Sequence, residues 1–311
     1  MGVGSAGRLA PALLLPLVAA EESFRLSLGH AAEEVSAILR YGAPLGRLIE
    51  HHLCLPRCMD RLVALIAAYE AADDCLPCGV VVAADRLDRG RGRFDRDWHA
   101  PAGGAWLALA WSDCLLPEQA RLLPLAAGVA CCETLRDHGV DARIKWVNDV
   151  HVGGRKIAGI LSETLRGPRR GGITHCLGVG INVNNCDFPP HLQGTATSLR
   201  LLLGADTDLD LLRLRLLVKL RWNIGLLHLA EVRALAAGLE ERGQSADSLL
   251  LEAWRGLSDS AGRRVEYGFD VYRAPDYQAT ALGIDACGGL VLALDDGSRI
   301  TEYGGEIRYL D

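Results

Sequence analysis

The sequence lacks an excess of basic residues. Its 311 residues include 33 Lys and Arg against 39 Asp and Glu, so the formal net charge is −6 at neutral pH. Proteins whose main partner is nucleic acid hold the phosphate backbone with clustered Lys and Arg. The acidic balance therefore argues against a nucleic-acid partner, although a locally basic site remains compatible with it.

The sequence also lacks an apolar run that could cross a membrane. Its most apolar early stretch, residues 9–20, is short and is interrupted by Pro11 and Pro16, whereas a spanning helix needs about 20 apolar residues. The residues before Leu48 include few basic side chains and show no clear pair of short amphipathic helices. We interpret residues 1–47 as an N-terminal extension with no clear DNA-binding domain, and we expect no membrane partner.

The sequence contains no complete motif of cysteines and histidines that would bind a metal ion. Cys75-Leu76-Pro77-Cys78 has the C-x-x-C spacing of a redox pair or of half a zinc site, but no second C-x-x-C or histidine pair lies at zinc-site spacing. The ten cysteines are scattered, and the adjacent Cys131 and Cys132 suit an apolar helix better than a disulfide framework. The sequence predicts a reducing compartment and no metal held by cysteine.

What is present is a folded chain with room for more than one unit. Half of the residues are hydrophobic and 23% are charged, which is ordinary for a globular protein. The length allows one catalytic domain of ~200 residues and a smaller unit beside it. Short strands separated by glycines after residue 260 predict that the smaller unit is a C-terminal β-barrel.

The stretch RIKWVNDVHVGGRKIAGILSE is typical of two β-strands joined by the two-residue turn Gly153-Gly154. Such a turn places His151 opposite Lys156 and Lys145 opposite Ser162. Because cross-strand partners share a face, charged and apolar side chains are expected on opposite faces. The charged face comprises Lys145, Asp149 and Lys156, and the apolar face comprises Ile144, Trp146, Val150, Ile157 and Leu161. Considered alone, the charged face is more typical of the solvated outer face of an edge hairpin.

A glycine–arginine loop supplies a second signal. The buried-strand pattern of residues 79–84 leads into the loop GRGRFDRDW, which is followed by PAGG. Gly90 and Gly92 allow the main chain to approach a phosphate closely, and arginines bind phosphates through their forked guanidinium groups. The arginines of the loop are Arg91, Arg93 and Arg96. A strand that leads into such a loop predicts a phosphate site.

Together with GVGIN at residues 178–182, these stretches resemble the biotin protein ligase family. The family patterns are G-R-G-R-x-x-R-x-W-x-x-P-x-G-G, then K-W-x-N-D with R-K-x-A-G-I-L-x-E, then G-x-G-I-N, and the chain contains all three in order. The resemblance implies an α+β fold, with a mixed-sheet ligase domain over residues 48–257 and an SH3-like β-barrel over residues 258–311. The GEIRYL sequence near the C-terminus is similar to a signature with which many family members end.

The resemblance implies an ATP-dependent ligase that forms biotinyl-5′-AMP and transfers biotin to a lysine of a biotin carboxyl carrier protein. It implies ATP and Mg2+ as cofactors and a cytoplasmic location, and a homodimer is compatible with it. The residues that it places in catalysis are Lys156, Arg91, Arg93 and, more peripherally, Lys145. Those that it places in the phosphate and Mg2+ region are Asn148 and Asp149. Those that it places around biotin or the adenylate are Gly90, Gly92, Arg96, Trp98, Gly178, Gly180 and Asn182.

Four of these residues have alternative interpretations. Gly178 and Gly180 are equally typical of close packing in a strand, and Asn182 is equally typical of a turn cap. Trp98, considered alone, is more typical of a core residue.

The chain departs from the family where the ring of biotin would bind. Family members usually have a Ser-Thr pair and a Gln that hold the ureido ring, and the matching residues here are Arg57, Cys58 and Leu87. A buried polar group that loses its partner costs about 1–3 kcal/mol. The departures keep two alternatives open: a ligase for another acid such as lipoate or octanoate, and a catalytically impaired homologue that binds an adenylate or a carrier. A DNA-binding regulator is the least favoured alternative.

Overall fold

The computed structural model describes residues 9–236, 238 and 248–310. Its helices are α1 (Leu14–Ser27), α2 (Ala32–Gly42), α3 (Cys58–Ala71), α4 (Pro117–Ala120), α5 (Leu123–Arg136), α6 (Leu199–Leu203), α7 (Leu209–Ala236) and α8 (Leu249–Leu257). Its first seven strands are β1 (Ile49–Leu55), β2 (Val81–Leu87), β3 (Ala105–Ser112), β4 (Arg143–Lys145), β5 (Asp149–Val152), β6 (Arg155–Arg166) and β7 (Ile173–Ile181). The last five are β8 (Arg264–Gly268), β9 (Tyr277–Ile284), β10 (Leu290–Ala293), β11 (Arg299–Glu302) and β12 (Glu306–Tyr309).

A seven-stranded mixed sheet forms the centre of the larger unit, in the order β1-β2-β3-β7-β6-β5-β4. Strands β1 and β2 are parallel, and the other neighbours are antiparallel. Strand β3 is apolar on both faces because helices cover both: α5 and α7 pack on the larger core, and α3 packs on the smaller one. This arrangement confirms the expected α+β fold with a mixed sheet.

Residues 9–47 include the two helices α1 and α2, so the expectation that no clear pair of short helices precedes Leu48 is wrong. Helices α1 and α2 both pack against α7. Val35 and Ile38 of α2 and Leu14 of α1 are fully buried in the larger core. The three-residue spacing of Val35 and Ile38 in α2 is a helical signal.

The hairpin prediction is right for one pair of residues and wrong for another. His151 does lie opposite Lys156. Lys145, however, pairs with Asp149 rather than with Ser162, which pairs with Leu177. The first predicted strand is broken by a turn at residues 146–148, which divides it into β4 and β5.

The turn at residues 146–148 is held in place by its own side chains. The Asn148 amide donates to the Ile160 carbonyl oxygen at 2.8 Å, and the buried Trp146 indole donates to the Gly288 carbonyl oxygen at 3.2 Å. Both partners are distant in sequence, so a strand pattern alone does not reveal the break. Leu161, expected on the apolar face, lines the cavity described below.

The C-terminal unit is a five-stranded antiparallel sheet in the order β11-β10-β9-β8-β12. The short strands expected after residue 260 at Arg264-Val265, residues 277–282, residues 289–294 and residues 300–303 correspond to β8, β9, β10 and β11. The fifth strand, β12, falls on the GEIRYL sequence and pairs with β8. The division of the chain at residues 47/48 and 257/258 stays a prediction, and α1 and α2 share the larger core across the first of these boundaries.

No helix among residues 9–236 and 248–310 is long and apolar enough to cross a membrane. Helix α7 is the longest, with 28 residues, but Arg213, Lys219 and Arg221 are buried along it.

A buried ionic cluster joins α1 to α5 and α7. The Glu21 carboxylate accepts from Arg25 Nε at 2.7 Å and pairs with Lys219 Nζ at 2.9 Å, while Arg25 also pairs with Glu133 at 2.8 Å. Removing one partner of a buried ion pair leaves an uncompensated charge and typically costs 3–5 kcal/mol. The cluster therefore makes α1 depend on the rest of the fold.

We expect Glu21→Gln to lower the free energy of unfolding by about 3 kcal/mol in urea denaturation. The control is Arg233→Ala, which removes the exposed partner of Glu34 and should cost less than about 1 kcal/mol. A separate early transition in the Glu21 variant would show that α1 and α2 unfold independently of the sheet, contrary to this expectation.

Candidate active site

A cavity of about 550 Å³ lies between the glycine–arginine loop, strands β4–β7 and the C-terminal sheet. Most of the residues singled out from the sequence line this cavity. Those at its charged part are Arg91, Gly92, Arg93, Arg96, Lys145, Asn148, Asp149 and Lys156. Elsewhere it is lined by Arg57, Cys58, Leu87, Trp98, Gly178, Gly180 and Asn182. Gly90 does not line it: it is buried beneath the loop, where an added Cβ would lie 2.3 Å from the Trp98 carbonyl oxygen.

Asp149 and Lys156 form the ionic centre of the cavity. Their carboxylate oxygen and Nζ are 2.5 Å apart, and the cation also lies 5.2 Å from the centre of the Trp98 ring. Burial raises the pKa of the Asp149 carboxyl, but the charges of Lys156 and Lys145 outweigh it and hold that pKa below its usual value. Asp149 is therefore ionised at neutral pH, and it balances only part of the surrounding positive charge.

The arginines of the loop differ in their partners. Arg96 pairs with both oxygens of Glu306 at 3.0 and 2.8 Å and also with Asp270. Arg93 donates to the Gly305 carbonyl oxygen at 2.8 Å and to Asn148 Oδ1 at 3.5 Å.

Arg91, which is exposed, pairs within the loop with Asp95 at 2.7 Å. The C-terminal sheet thus holds Arg93 and Arg96 in place, while Arg91 is oriented only locally.

Lys145 lies at the mouth of the cavity beside two tyrosines of the C-terminal unit. Its Nζ is 3.4 Å from the Tyr272 hydroxyl and 5.6 Å from the centre of the Tyr309 ring. The charged face expected for Lys145, Asp149 and Lys156 therefore exists and faces the loop. Sequence patterns give no signal for Tyr272, whereas Glu306 and Tyr309 fall in the GEIRYL sequence.

Trp98 forms part of the cavity wall, and its ring leaves little room for a side chain at two neighbouring glycines. A Cβ on Gly180 would lie 2.8 Å from Trp98 Nε1, and a Cβ on Gly159 would lie 3.1 Å from the same ring. Gly178 is different, because its Cβ would make only ordinary contacts at 3.6 Å with Leu161 and Met59. Close packing against Trp98 therefore explains the glycine at position 180. The wall of the cavity has room for a Cβ at Gly178.

The part of the cavity around Cys58 and Leu87 is apolar. Cys58 is buried, its Sγ lies 3.7 Å from the Trp106 carbonyl oxygen, and burial raises the pKa of its thiol to about 12. Arg57 is neutralised by Glu163, whose carboxylate oxygen is 3.1 Å away. This region therefore offers a neutral thiol, a leucine and a paired guanidinium in place of three free polar groups.

Asn182 is buried, and its side chain is engaged within the loop that follows β7. Its Oδ1 accepts from Asn185 Nδ2 at 3.0 Å. This contact matches the interpretation as a turn-stabilising residue, and Asn182 also lines the cavity.

The cysteines form no disulfide, and Cys58 contributes to the cavity as a free thiol. All ten cysteines are free thiols. Within the part of the chain that the structure describes, no group of three or more His, Cys, Asp or Glu side chains is arranged to hold a metal ion.

The cavity therefore has a charged part around Asp149 and an apolar part around Cys58 and Leu87. Comparison with known proteins shows the family of the chain. The biotin/lipoate A/B protein ligase family matches residues 75–184. The bifunctional ligase/repressor BirA of Salmonella typhimurium is 31% identical over 236 residues, which cover 75% of this chain and 67% of that protein. The chain therefore belongs to the biotin/lipoate A/B protein ligase family.

Other relatives match over shorter stretches. BirA of Bacillus subtilis is 36% identical over 145 residues, so the chain spans only 44% of that protein's length. Among solved structures, biotin protein ligase from Aquifex aeolicus in complex with biotin and ATP has a TM-score of 0.62 at 20% identity, and the match covers 85% of this chain and 99% of that one. That similarity concerns the fold.

The contrast between Gly180 and Gly178 can be tested directly. We expect Gly180→Ala to lower the free energy of unfolding by about 1–3 kcal/mol, because the added methyl group meets a rigid indole ring. Gly178→Ala, the matched control on the same strand, should cost clearly less. Equal losses in chemical denaturation would show that Trp98 can move away and does not form a fixed wall.

Proposed function

We propose that the chain activates biotin with ATP to give biotinyl-5′-AMP and pyrophosphate, and then transfers the biotinyl group to a lysine of a biotin carboxyl carrier domain. The observation that carries the proposal is the gathering of Lys156, Lys145 and Arg93 around Asp149 at one part of a cavity whose other part is apolar. The biotin--[acetyl-CoA-carboxylase] ligase of Mycobacterium tuberculosis, 35% identical over 152 residues, supports it.

In the first step a carboxylate must approach a triphosphate, and these two anions repel each other. The cations of the cavity would offset this repulsion. In that step a carboxylate oxygen attacks the α-phosphorus, and the bond to pyrophosphate breaks. Lys156 would neutralise the charge that develops between the acid and the α-phosphate, and Arg93 would bind phosphate oxygens. Preorganised donors of this kind commonly contribute about 3 kcal/mol each to the transition state.

Asp149 would supply the carboxylate for Mg2+. This ion is usually held in nucleotide sites by one or two carboxylates together with the phosphates. Asp149 is the ionised carboxylate among the lysines, and Asn148 adds an amide oxygen beside it. When bound, Mg2+ would neutralise the phosphates and stabilise the leaving pyrophosphate.

The second step would be aminolysis. The carrier lysine forms a bond to the acyl carbon, and AMP leaves with the electrons of the broken C–O bond. ATP and the carrier are found in the cytoplasm, where we expect the chain to act.

We also propose that the chain does not bind operator DNA. The net charge of −6 and the packing of α1 and α2 into the core support this view. Specific DNA binding in the nanomolar range at physiological salt would contradict it. Homodimerisation stays a prediction, which sedimentation of the purified chain would test.

A second candidate is a ligase for an acid with an apolar tail, such as lipoate or octanoate. The observation that favours it is the neutral lining formed by Cys58 and Leu87. Such a lining suits a hydrocarbon chain better than a ureido ring, whose polar atoms would lose partners.

Pyrophosphate release with biotin, lipoate and octanoate separates these candidates. We expect release with at least one of these acids, and we expect Lys156→Ala to abolish it. Release with no acid would contradict the ligase proposal and favour an inert homologue. Fastest release with octanoate or lipoate would favour the second candidate.

We expect Cys58→Thr with Leu87→Gln to lower the KM for biotin about ten-fold or more, because each substitution restores a polar partner that contributes ~1 kcal/mol. The KM for ATP should change little, since the phosphates are held by other residues. Tight binding of biotin by the unmodified chain would show that backbone groups or other side chains hold the ureido ring.

A further inference from the structure

Cys78, the second cysteine of the C-x-x-C sequence, lies beside Cys114 at one end of the larger sheet. Cys78 precedes β2, and Cys114 follows β3. These two strands are antiparallel neighbours. Their pairing continues toward Cys78, because the Gly79 amide donates to the Ala110 carbonyl oxygen at 2.8 Å. The sheet therefore brings together the two segments that carry these cysteines.

Contacts with Ser112 hold the two thiols next to each other. The Ser112 amide donates to Cys78 Sγ at 3.5 Å. The Cys114 amide donates to the Ser112 carbonyl oxygen at 2.8 Å, so the chain turns tightly between residues 112 and 114. In this arrangement the Cys114 thiol and the Cys78 sulfur share a hydrogen bond. Sulfurs in such contact need only a small side-chain movement to reach the bond length of a disulfide, about 2.05 Å.

The two thiols differ in how readily they ionise. The hydrogen bond from Cys114, together with the Ser112 amide, outweighs burial and lowers the pKa of the Cys78 thiol. The same hydrogen bond and burial raise the pKa of the Cys114 thiol. Because the thiolate is the nucleophilic form of cysteine, Cys78 is the sulfur that reacts first, and Cys114 keeps its proton until the second step.

Other cysteines have no comparable thiol partner. Cys75, which the C-x-x-C spacing offers as a partner for Cys78, is exposed, and its Sγ lies 4.0 Å from Arg170 Nη1. Cys54 is partly exposed and donates to the Asp88 carboxylate at 3.0 Å. Burial raises the pKa of four further thiols and disfavours their oxidation. These are Cys58, Cys131, Cys132 and Cys176.

We propose that Cys78 and Cys114 form a site of reversible oxidation, at which a hydroperoxide converts the two thiols into a disulfide. The Cys78 thiolate attacks a peroxide oxygen and the O–O bond breaks. The products are a sulfenic acid and, from hydrogen peroxide, a hydroxide that takes up the proton released by Cys78. The Cys114 sulfur then attacks the Cys78 sulfur and the S–O bond breaks. The leaving hydroxide departs as water with the Cys114 proton.

The reaction oxidises two thiols and reduces one peroxide. Two molecules of a small thiol reverse it by exchange and are themselves joined in a disulfide. Such reversibility suits a reducing compartment, where disulfides are usually transient and redox-sensing. Both sulfurs are accessible, because Cys114 is exposed and Cys78 is partly exposed.

The position of the pair determines what the disulfide would do. Neither cysteine lines the cavity, and the glycine–arginine loop lies at the other ends of β2 and β3. The disulfide would therefore close residues 78–114, which include that loop, into a covalent ring while leaving the cavity lining unchanged. Such a ring restricts the unfolded chain and stabilises the folded one.

The test treats the full chain with a small excess of hydrogen peroxide. Thiol titration in denaturant and peptide mapping then identify the products. We expect the loss of two of the ten free thiols, a disulfide between the peptides that contain Cys78 and Cys114, and recovery of both thiols with dithiothreitol. These readouts need no ligase activity, so the result is independent of the proposed function.

Serine variants separate the roles of the two sulfurs. In Cys114→Ser, which replaces an exposed residue, we expect Cys78 to stop at the sulfenic acid, which dimedone labels. In Cys78→Ser, labelling of Cys114 should be about ten-fold weaker, because that thiol stays protonated. The matched control is Cys75→Ser, which removes the other cysteine of the C-x-x-C sequence and should form the disulfide as fast as the unmodified chain does.

Oxidation should also raise the melting temperature of the unmodified chain by about 5 °C or more. Calorimetry with and without peroxide measures this shift, which dithiothreitol should reverse and which Cys114→Ser should not show. An unchanged or lower melting temperature after oxidation would contradict the proposal, because it would show that the native positions of the two cysteines do not suit a disulfide.

Three chemical results would overturn the inference. A disulfide between Cys75 and Cys78 in the unmodified chain would assign the redox pair to the C-x-x-C sequence. Disulfides between two chains would show that Cys78 reacts with another molecule before it reacts with Cys114. Retention of all ten thiols, or oxidation that dithiothreitol does not reverse, would show that the contact between the two sulfurs has only a structural role.

Discussion

The balance of charge around Asp149 is the constraint on which the site depends. Several cations gathered in a partly buried cavity repel one another, and this repulsion must be offset before any substrate binds. The ion pair between Asp149 and Lys156 offsets part of it and fixes the position of the lysine. Lys145 and Arg93 contact a tyrosine hydroxyl and a carbonyl oxygen instead of sharing this carboxylate, so under the proposed function both would be available to the phosphates of a nucleotide.

The C-terminal unit supplies further acceptors that offset the positive charge of the glycine–arginine loop. Glu306 and Asp270 accept from Arg96, and the Gly305 carbonyl oxygen accepts from Arg93. Without these acceptors the loop would carry unpaired arginines next to the lysines. The small sheet is therefore part of the cavity rather than an appendage, and it also supplies Tyr309, which helps to orient Asp259 beside His151.

Local motifs predicted most of the residues that line the charged part of the cavity, because the loop and the hairpin are each continuous in sequence. The same reasoning failed where long-range contacts decide the structure. The break at residues 146–148 depends on Ile160 and Gly288, and the partners of Arg96 lie 174 and 210 residues away. Helix α1 was missed because its apolar sequence does not show which residues α7 covers. Tertiary packing supplies the information that local patterns lack.

The charged part and the apolar part of the cavity depend on different kinds of side chain. Substitutions in one part can therefore accumulate without disturbing the other. Phosphates are recognised by charge, and a substituted lysine or arginine there would leave Asp149 or Glu306 without its partner. The acid's tail is recognised by shape and by a few hydrogen bonds, so replacing polar residues by Cys58 and Leu87 leaves no buried charge uncompensated. A chain can therefore keep the chemistry of activation while its choice of acid changes.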